Sequence, residues 1–297
     1  MVSSTDDTAR EKGPIAWLIR IRQLPFNLNL LLGGTGTAAL VLLVLVGPLW
    51  LGLDAYTHNF SHILEPPSLE GPGLDGLMGT DTLGRDVFSR IVVGGRSSLI
   101  ISVSAVILTA AIGTALGLAS GYFEGWLGVI IMRIADVQLA MPFIVLTITI
   151  LTVLSPTIPN IILALAITRW VVYARTSRAL VLSIKRSDYI LGARALGVSD
   201  AGILWRYILP NMFGTMVVLG GLQLAVMVIM ESTLSYLGLG IQPPEPSWGN
   251  MMREGQAYLS TAWWIAAFPG LFAMLFVLSI NLFAEGLRSV AAKRTRL

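Results

Sequence analysis

The chain has 297 residues, of which 55% are hydrophobic and 12% charged, with a formal net charge of +3 and a mean hydropathy of +0.75. That is far more apolar than an ordinary soluble domain, and so small a net charge gives no support to nucleic-acid binding. The absence of cysteine excludes disulfides, thiolate metal sites and cysteine nucleophiles together.

In chain order, residues 1–27 form an N-terminal segment, polar over Met1 to Gly13, in which Ile15 to Leu24 ("IAWLIRIRQL") reads as a short interfacial helix ended by Pro25. A helix needs about 20 mostly apolar residues to cross a bilayer core. Runs of that kind recur over Leu28–Leu53, Ser97–Gly121, Val137–Leu154, Ile158–Val172, Met212–Leu237 and Trp263–Leu282. Pro156 and Pro159 crowd the turn between the third and the fourth. The runs are too long for barrel strands and do not alternate with period two. The expected fold is therefore all-α and integral to the membrane, with about six transmembrane helices in one domain over 28–297. No A-x-A-like site follows the first run, so no cleavable signal is expected.

Between the first two runs lies a long Pro- and Gly-rich loop, 54–94, that holds Asp54, Glu65, Glu70, Asp75, Asp81 and Asp86. Basic residues gather elsewhere: Arg10, Lys12, Arg20 and Arg22 before the first run, Arg175, Arg178, Lys185, Arg186, Arg194 and Arg206 in 175–210, and Lys293, Arg294 and Arg296 in the tail. Counting basic residues alone predicts that both termini and 175–210 are cytoplasmic and that 54–94 lies outside. Inside the second run, Gly113, Gly117 and Gly121 repeat at four-residue spacing. They place a bare strip on one helix face, where a neighbouring helix can come close. Trp248, Trp263 and Trp264 fit the outer aromatic belt. Arg133 with Asp136, and Glu285 with Arg288, have the i,i+3 spacing of interfacial ion pairs. Glu231, in the outer half of the fifth run, is either a partner within the bundle or pore-facing; Ser232, Thr233 and Ser235 beside it favour the bundle. Arg169, near the end of the fourth run, is similar and is expected to snorkel toward the cytoplasmic interface.

Matches to enzymatic motifs fail on context. "GPGLDG" (Gly71 to Gly76) has the spacing of a dinucleotide-binding turn but follows no strand and opens no helix. His58 and His62 stand four apart, but "HNFSH" has Asn where a zinc-protease helix needs Glu. There is no G-x-x-x-x-G-K-[ST] phosphate loop and no G-x-S-x-G elbow, so the sequence offers no catalytic, metal or cofactor site of its own.

"YILGARALGVSDAGILWRYILPN", Tyr189 to Asn211, is too polar to span a bilayer. Ser187 or Asp188 can cap a first helix, Gly197 suits the left-handed position that ends it, and Ser199 or Asp200 can cap a second short helix limited by Pro210. Gly192, Ala193, Ala195 and Gly197 leave one side nearly bare, while Tyr189, Leu191 and Leu196 supply anchors for a helix-in-groove contact. On these residues alone, an ordinary amphipathic interfacial loop is equally admissible.

This stretch resembles the cytoplasmic loop of the permease subunits of bacterial ABC importers, whose signature reads E-A-A-x3-G and then, after a fixed gap, L-P. Ala193, Gly197, Leu209 and Pro210 keep that pattern, whereas Leu191 stands in place of Glu and Gly192 in place of Ala. Further stretches are similar to the dipeptide/oligopeptide/nickel permease family, in its shorter permease type. They are "GTDTLGRDVFSRIVVGGRSSL" (Gly79 to Leu99), "MRIADVQLAMP" (Met132 to Pro142), "ESTLSYLGLGIQPPEPSWGNMM" (Glu231 to Met252) and "INLFAEGLR" (Ile280 to Arg288). The resemblance implies half of a translocation pore in the bacterial inner membrane, paired with a homologous second permease. It also implies an extracytoplasmic solute-binding protein and two cytoplasmic ATPases, which carry the ATP and Mg and hold the bent helix in a cleft. Peptides or related small solutes are the implied cargo. The alternative is a secondary transporter driven by an ion gradient, a class that usually shows internal repeats and ionisable residues at mid-membrane. No convincing repeat is present, and the ionisable residues are expected toward the interfaces.

Overall fold

The computed structural model describes residues 27–68 and 76–294, with side chains through residue 290. The N-terminal interfacial helix, most of "GPGLDG" and the basic tail side chains lie outside the described residues. In chain order the helices are α1 (Leu28–Trp50), α2 (Val87–Tyr122), α3 (Gly125–Leu139), α4 (Phe143–Leu154), α5 (Ile158–Lys185), α6 (Asp188–Ala195), α7 (Asp200–Ile203), α8 (Leu209–Tyr236), α9 (Trp248–Gln256) and α10 (Trp264–Arg294). A π turn, Leu204–Ile208, joins α7 to α8. Five helical runs are long and apolar enough to cross a bilayer, and the α3–α4 pair, bent by 92°, is long and apolar enough to do so only if its two helices are taken together. Most residues of these spans are unburied, as suits helices whose outer solvent is hydrocarbon.

Four boundaries differ from the sequence expectation, each for a local reason. α2 begins at Val87, inside the stretch 54–94 assigned to the loop, because Asp86 caps it by accepting the Ser89 N–H at 2.7 Å. The third run is two helices: the chain turns at Ala140–Pro142, and α3 reaches back to Gly125. The fourth run continues past Val172 to Lys185, so 175–185 is helix. Pro210 does not limit the second short helix. Asp200–Tyr236 is one continuous helical run of 37 residues in which the π turn offsets the hydrogen-bond ladder just before the proline.

α2 and α5 form the spine. A methyl group on Gly117 would lie 2.5 Å from Ala174 O and Ser177 Cβ, and one on Gly121 2.9 Å from Val181 Cβ; Gly113 faces Trp170 and Tyr173. The glycine strip lets the two backbones meet closely. At one end of this spine, α1, α2, α8, α9 and α10 bury a cluster around Trp248, Phe276 and Ile265. Trp248 and Trp264 thus belong to the core, not to an aromatic belt. Each is turned inward by a hydrogen bond from its indole N–H, to Ile91 O and Thr80 O respectively, both at 3.0 Å. Only Trp263 of the three is exposed.

Candidate functional site

The end of the bundle opposite Trp248 is built by α6 and α7. Ser187 opens α6, and Gly197, at φ +82°, closes it. The Val198 N–H reaches Ala193 O at 3.1 Å and the Gly197 N–H reaches Arg194 O at 3.0 Å, so the last carbonyls of α6 are satisfied by a left-handed glycine turn. Ser199 then caps α7, accepting from the Gly202 N–H at 3.2 Å. Ile190, Ile203 and Ile208 are fully buried with Tyr122, Val181 and Met212, which ties this bent segment to α2, α5 and α8. The Tyr122 hydroxyl donates to Asp200, and Lys185 donates to Tyr122 O at 2.6 Å and to Glu124 at 2.9 Å. That lysine contact holds the Glu124 carboxyl below its ordinary pKa.

Of the residues read from sequence as a docking surface, Tyr189, Leu191, Gly192, Ala195, Leu196 and Gly197 are exposed, Leu196 at 86%. Ala193 is buried against the chain's own core, so it belongs to the anchoring side of α6. Helical phase decides this: Ala193 lies three residues from Ile190 and shares its face. Trp205 of the π turn is also 70% exposed and went unremarked in the sequence because aromatic residues there read equally well as core. Leu209 and Pro210 enter α8 rather than the exposed bend.

The interior holds polar groups on facing helices. Glu231 is fully buried, and its Oε1 accepts from Ser235 Oγ at 2.7 Å, with buried Ser98 and Ser232 alongside. Arg169 does not snorkel. Its Nη2 donates to Gln223 Oε1 on α8 at 2.9 Å, and its Cζ lies 5.3 Å from the Phe143 ring centroid. Because α5 runs on to Lys185, Arg169 stands in mid-helix and not near its end. Asp136 pairs with Arg175 at 2.6 Å instead of with Arg133, since α3 turns its carboxylate toward α5. Glu285 and Arg288 do approach, at 3.8 Å.

At the Trp248 end, the loop after α1 is clamped by charges that sequence reading missed. Asp81 accepts from Arg85 Nε at 2.7 Å and from Arg90 Nη1 at 2.6 Å, and Arg90 Nη1 also reaches Glu254 of α9 at 2.7 Å. Asp81 and Arg90 are each 1% exposed. Only Asp81–Arg85 carried a sequence signal, the i,i+4 spacing; Glu254 lies 164 residues from Arg90. His62 contacts Glu65 at 2.8 Å and His58 stacks on Phe60, so the two histidines do not converge. Among the described residues, no group of three or more His, Asp or Glu side chains is placed to hold a metal.

Residues 113–297 match the family of binding-protein-dependent transport system inner membrane components. The chain is 38% identical over 227 residues to the di/tripeptide transport system permease protein DppC of Pseudomonas aeruginosa, which covers 76% of this chain and 75% of that protein. It is 42% identical over 219 residues to the glutathione transport system permease protein GsiD of Pectobacterium atrosepticum, covering 74% and 73%. It is 34% identical over 272 residues to the dipeptide transport system permease protein DppC of Alkalihalophilus pseudofirmus, covering 92% and 88%. With the all-helical bundle and its five or six candidate spans, these likenesses place the chain in the binding-protein-dependent transport system inner membrane component family, as a permease subunit of an ABC importer.

Proposed function

We propose that the chain forms half of the translocation path of an importer for peptides or glutathione-like compounds, and that it is driven through the α6–α7 bend. The transport names of its relatives support this class of solute. A homologous second permease completes the path, a solute-binding protein feeds it from outside, and two cytoplasmic ATPases grip the bend. The chain hydrolyses nothing itself; ATP and Mg reside on the ATPases. The basic residues of 175–210 and of the tail orient the bend and both termini toward the cytoplasm.

The observation that carries the coupling role is the bend itself. Its inner face is anchored by Ile190, Ile203 and Ile208, while Tyr189, Leu191 and Leu196 project outward beside the bare surface of Gly192. A segment rigid on one side and apolar on the other transmits force when a partner groove closes on it. The test is Leu191→Asp with Leu196→Asp in the complete complex reconstituted in proteoliposomes. Neither side chain contributes to the bundle's own core, so the permease pair should still assemble. ATPase association, or peptide uptake per ATP hydrolysed, should fall at least ten-fold, whereas exposed Ser183→Ala changes little. Normal assembly and uptake in the double variant would remove the coupling role from this segment.

A further inference from the structure

We infer that Arg169 and Gln223 form an anion-binding step on the translocation path, which takes the carboxylate of the solute in transit. The inference rests on the peptide-importer reading. Arg169 lies eleven residues after Ile158 and sixteen before Lys185 in α5. At 1.5 Å per residue that is about 16 Å from one helix end and about 24 Å from the other. Gln223 lies fourteen residues after Leu209 and thirteen before Tyr236, the centre of α8. Arg169 thus stands six residues, about 9 Å, before Arg175, inside the stretch that the count of basic residues leaves in the bilayer.

The guanidinium is under-used by its own protein. Of its five N–H donors, one on Nη2 is bonded to Gln223 Oε1; Nε is buried without an acceptor, and no carboxylate among the described residues comes within ion-pair distance. The amide nitrogen of Gln223 likewise makes no hydrogen bond among the described residues. The Phe143 ring, presented by the break between α3 and α4, supports the cation from one side and supplies no counter-charge. Arg169 is only partly buried. A planar fork with free donors matches a carboxylate in shape and charge, and a neighbouring amide adds a further donor. A peptide carries such a carboxylate at its C-terminus, so it could exchange its hydration for this pair as it crosses.

The experiment uses the complete importer in proteoliposomes with saturating binding protein and radiolabelled trialanine. Arg169→Gln should lower uptake at least ten-fold while ATP hydrolysis stimulated by loaded binding protein stays within two-fold of the unaltered complex. Arg169→Lys should keep at least a third of the uptake. Arg169→Cys should be inactive until treated with a cationic aminoethyl thiosulfonate, which restores the charge, and should stay inactive with the anionic sulfonatoethyl reagent; the chain's lack of native cysteine makes that thiol unique in this subunit. Uptake by Arg169→Gln within two-fold of the unaltered level would overturn the inference, as would equal response to the two reagents. Failure of all three variants to assemble would also overturn it, by reducing the arginine to a packing role. If the unaltered importer takes up no peptide, the solute reading itself fails and this inference goes with it.

Discussion

Removing the carboxylate of Asp81 should destabilise the chain by about 3 kcal/mol, within the range of about 3–5 kcal/mol for stripping one partner from a buried ion pair. Asp81 is 1% exposed, and it serves two guanidiniums and the backbone N–H groups of Leu83 at 2.8 Å and Arg85 at 3.0 Å. Asp81→Ala would leave Arg90 with only Glu254, which is 28% exposed and therefore partly screened, so the low end of that range applies. Arg90→Met alone should cost less, because Asp81 keeps Arg85. The double variant removes the stranded charge together with its partner, so its cost should fall short of the sum of the two by about 2 kcal/mol. The measurement is unfolding of the purified chain by SDS titration in mixed micelles, followed by tryptophan fluorescence. Trp264, bonded to Thr80 beside Asp81, reports on this region. Additivity within about 0.5 kcal/mol would show that the cluster does not act as a unit and would refute the reasoning.

Two other outcomes follow from the packing and the charge distribution. Gly117→Val should overpack the α2–α5 seam and cost about 1–3 kcal/mol or more, whereas Gly214→Ala, with no atom within 4 Å of the added carbon, should be neutral or stabilise α8 by up to about 1 kcal/mol; the same SDS titration separates the two. For topology, Ser61→Cys should react with an impermeant thiol reagent in cells with a permeabilised outer membrane, and Ala201→Cys only after the inner membrane is broken. The opposite pattern would invert the orientation and detach the α6–α7 bend from any cytoplasmic ATPase.

The apolar runs and turn chemistry make much of this architecture legible in the sequence, because both act over a few residues. About 20 apolar residues in a row can do little but cross a bilayer. Gly197 could be assigned its left-handed turn because a residue without Cβ meets no steric penalty there. The glycines of α2 likewise announced a bare face, though not that α5 would cover it. Tertiary structure alone decided which neighbour each residue met. Ala193 reads as part of a bare docking face until Ile190 and its buried partners show which side of α6 is inward. Trp248 and Trp264 read as interfacial anchors until carbonyls on α2 and in the loop claim their indole N–H groups. Arg169 reads as a snorkelling end residue until α5 runs on to Lys185 and α8 brings Gln223 beside it. Local sequence sets which conformations a segment can adopt, but a charge such as Arg90 finds its counter-charge 164 residues away only once the chain has packed.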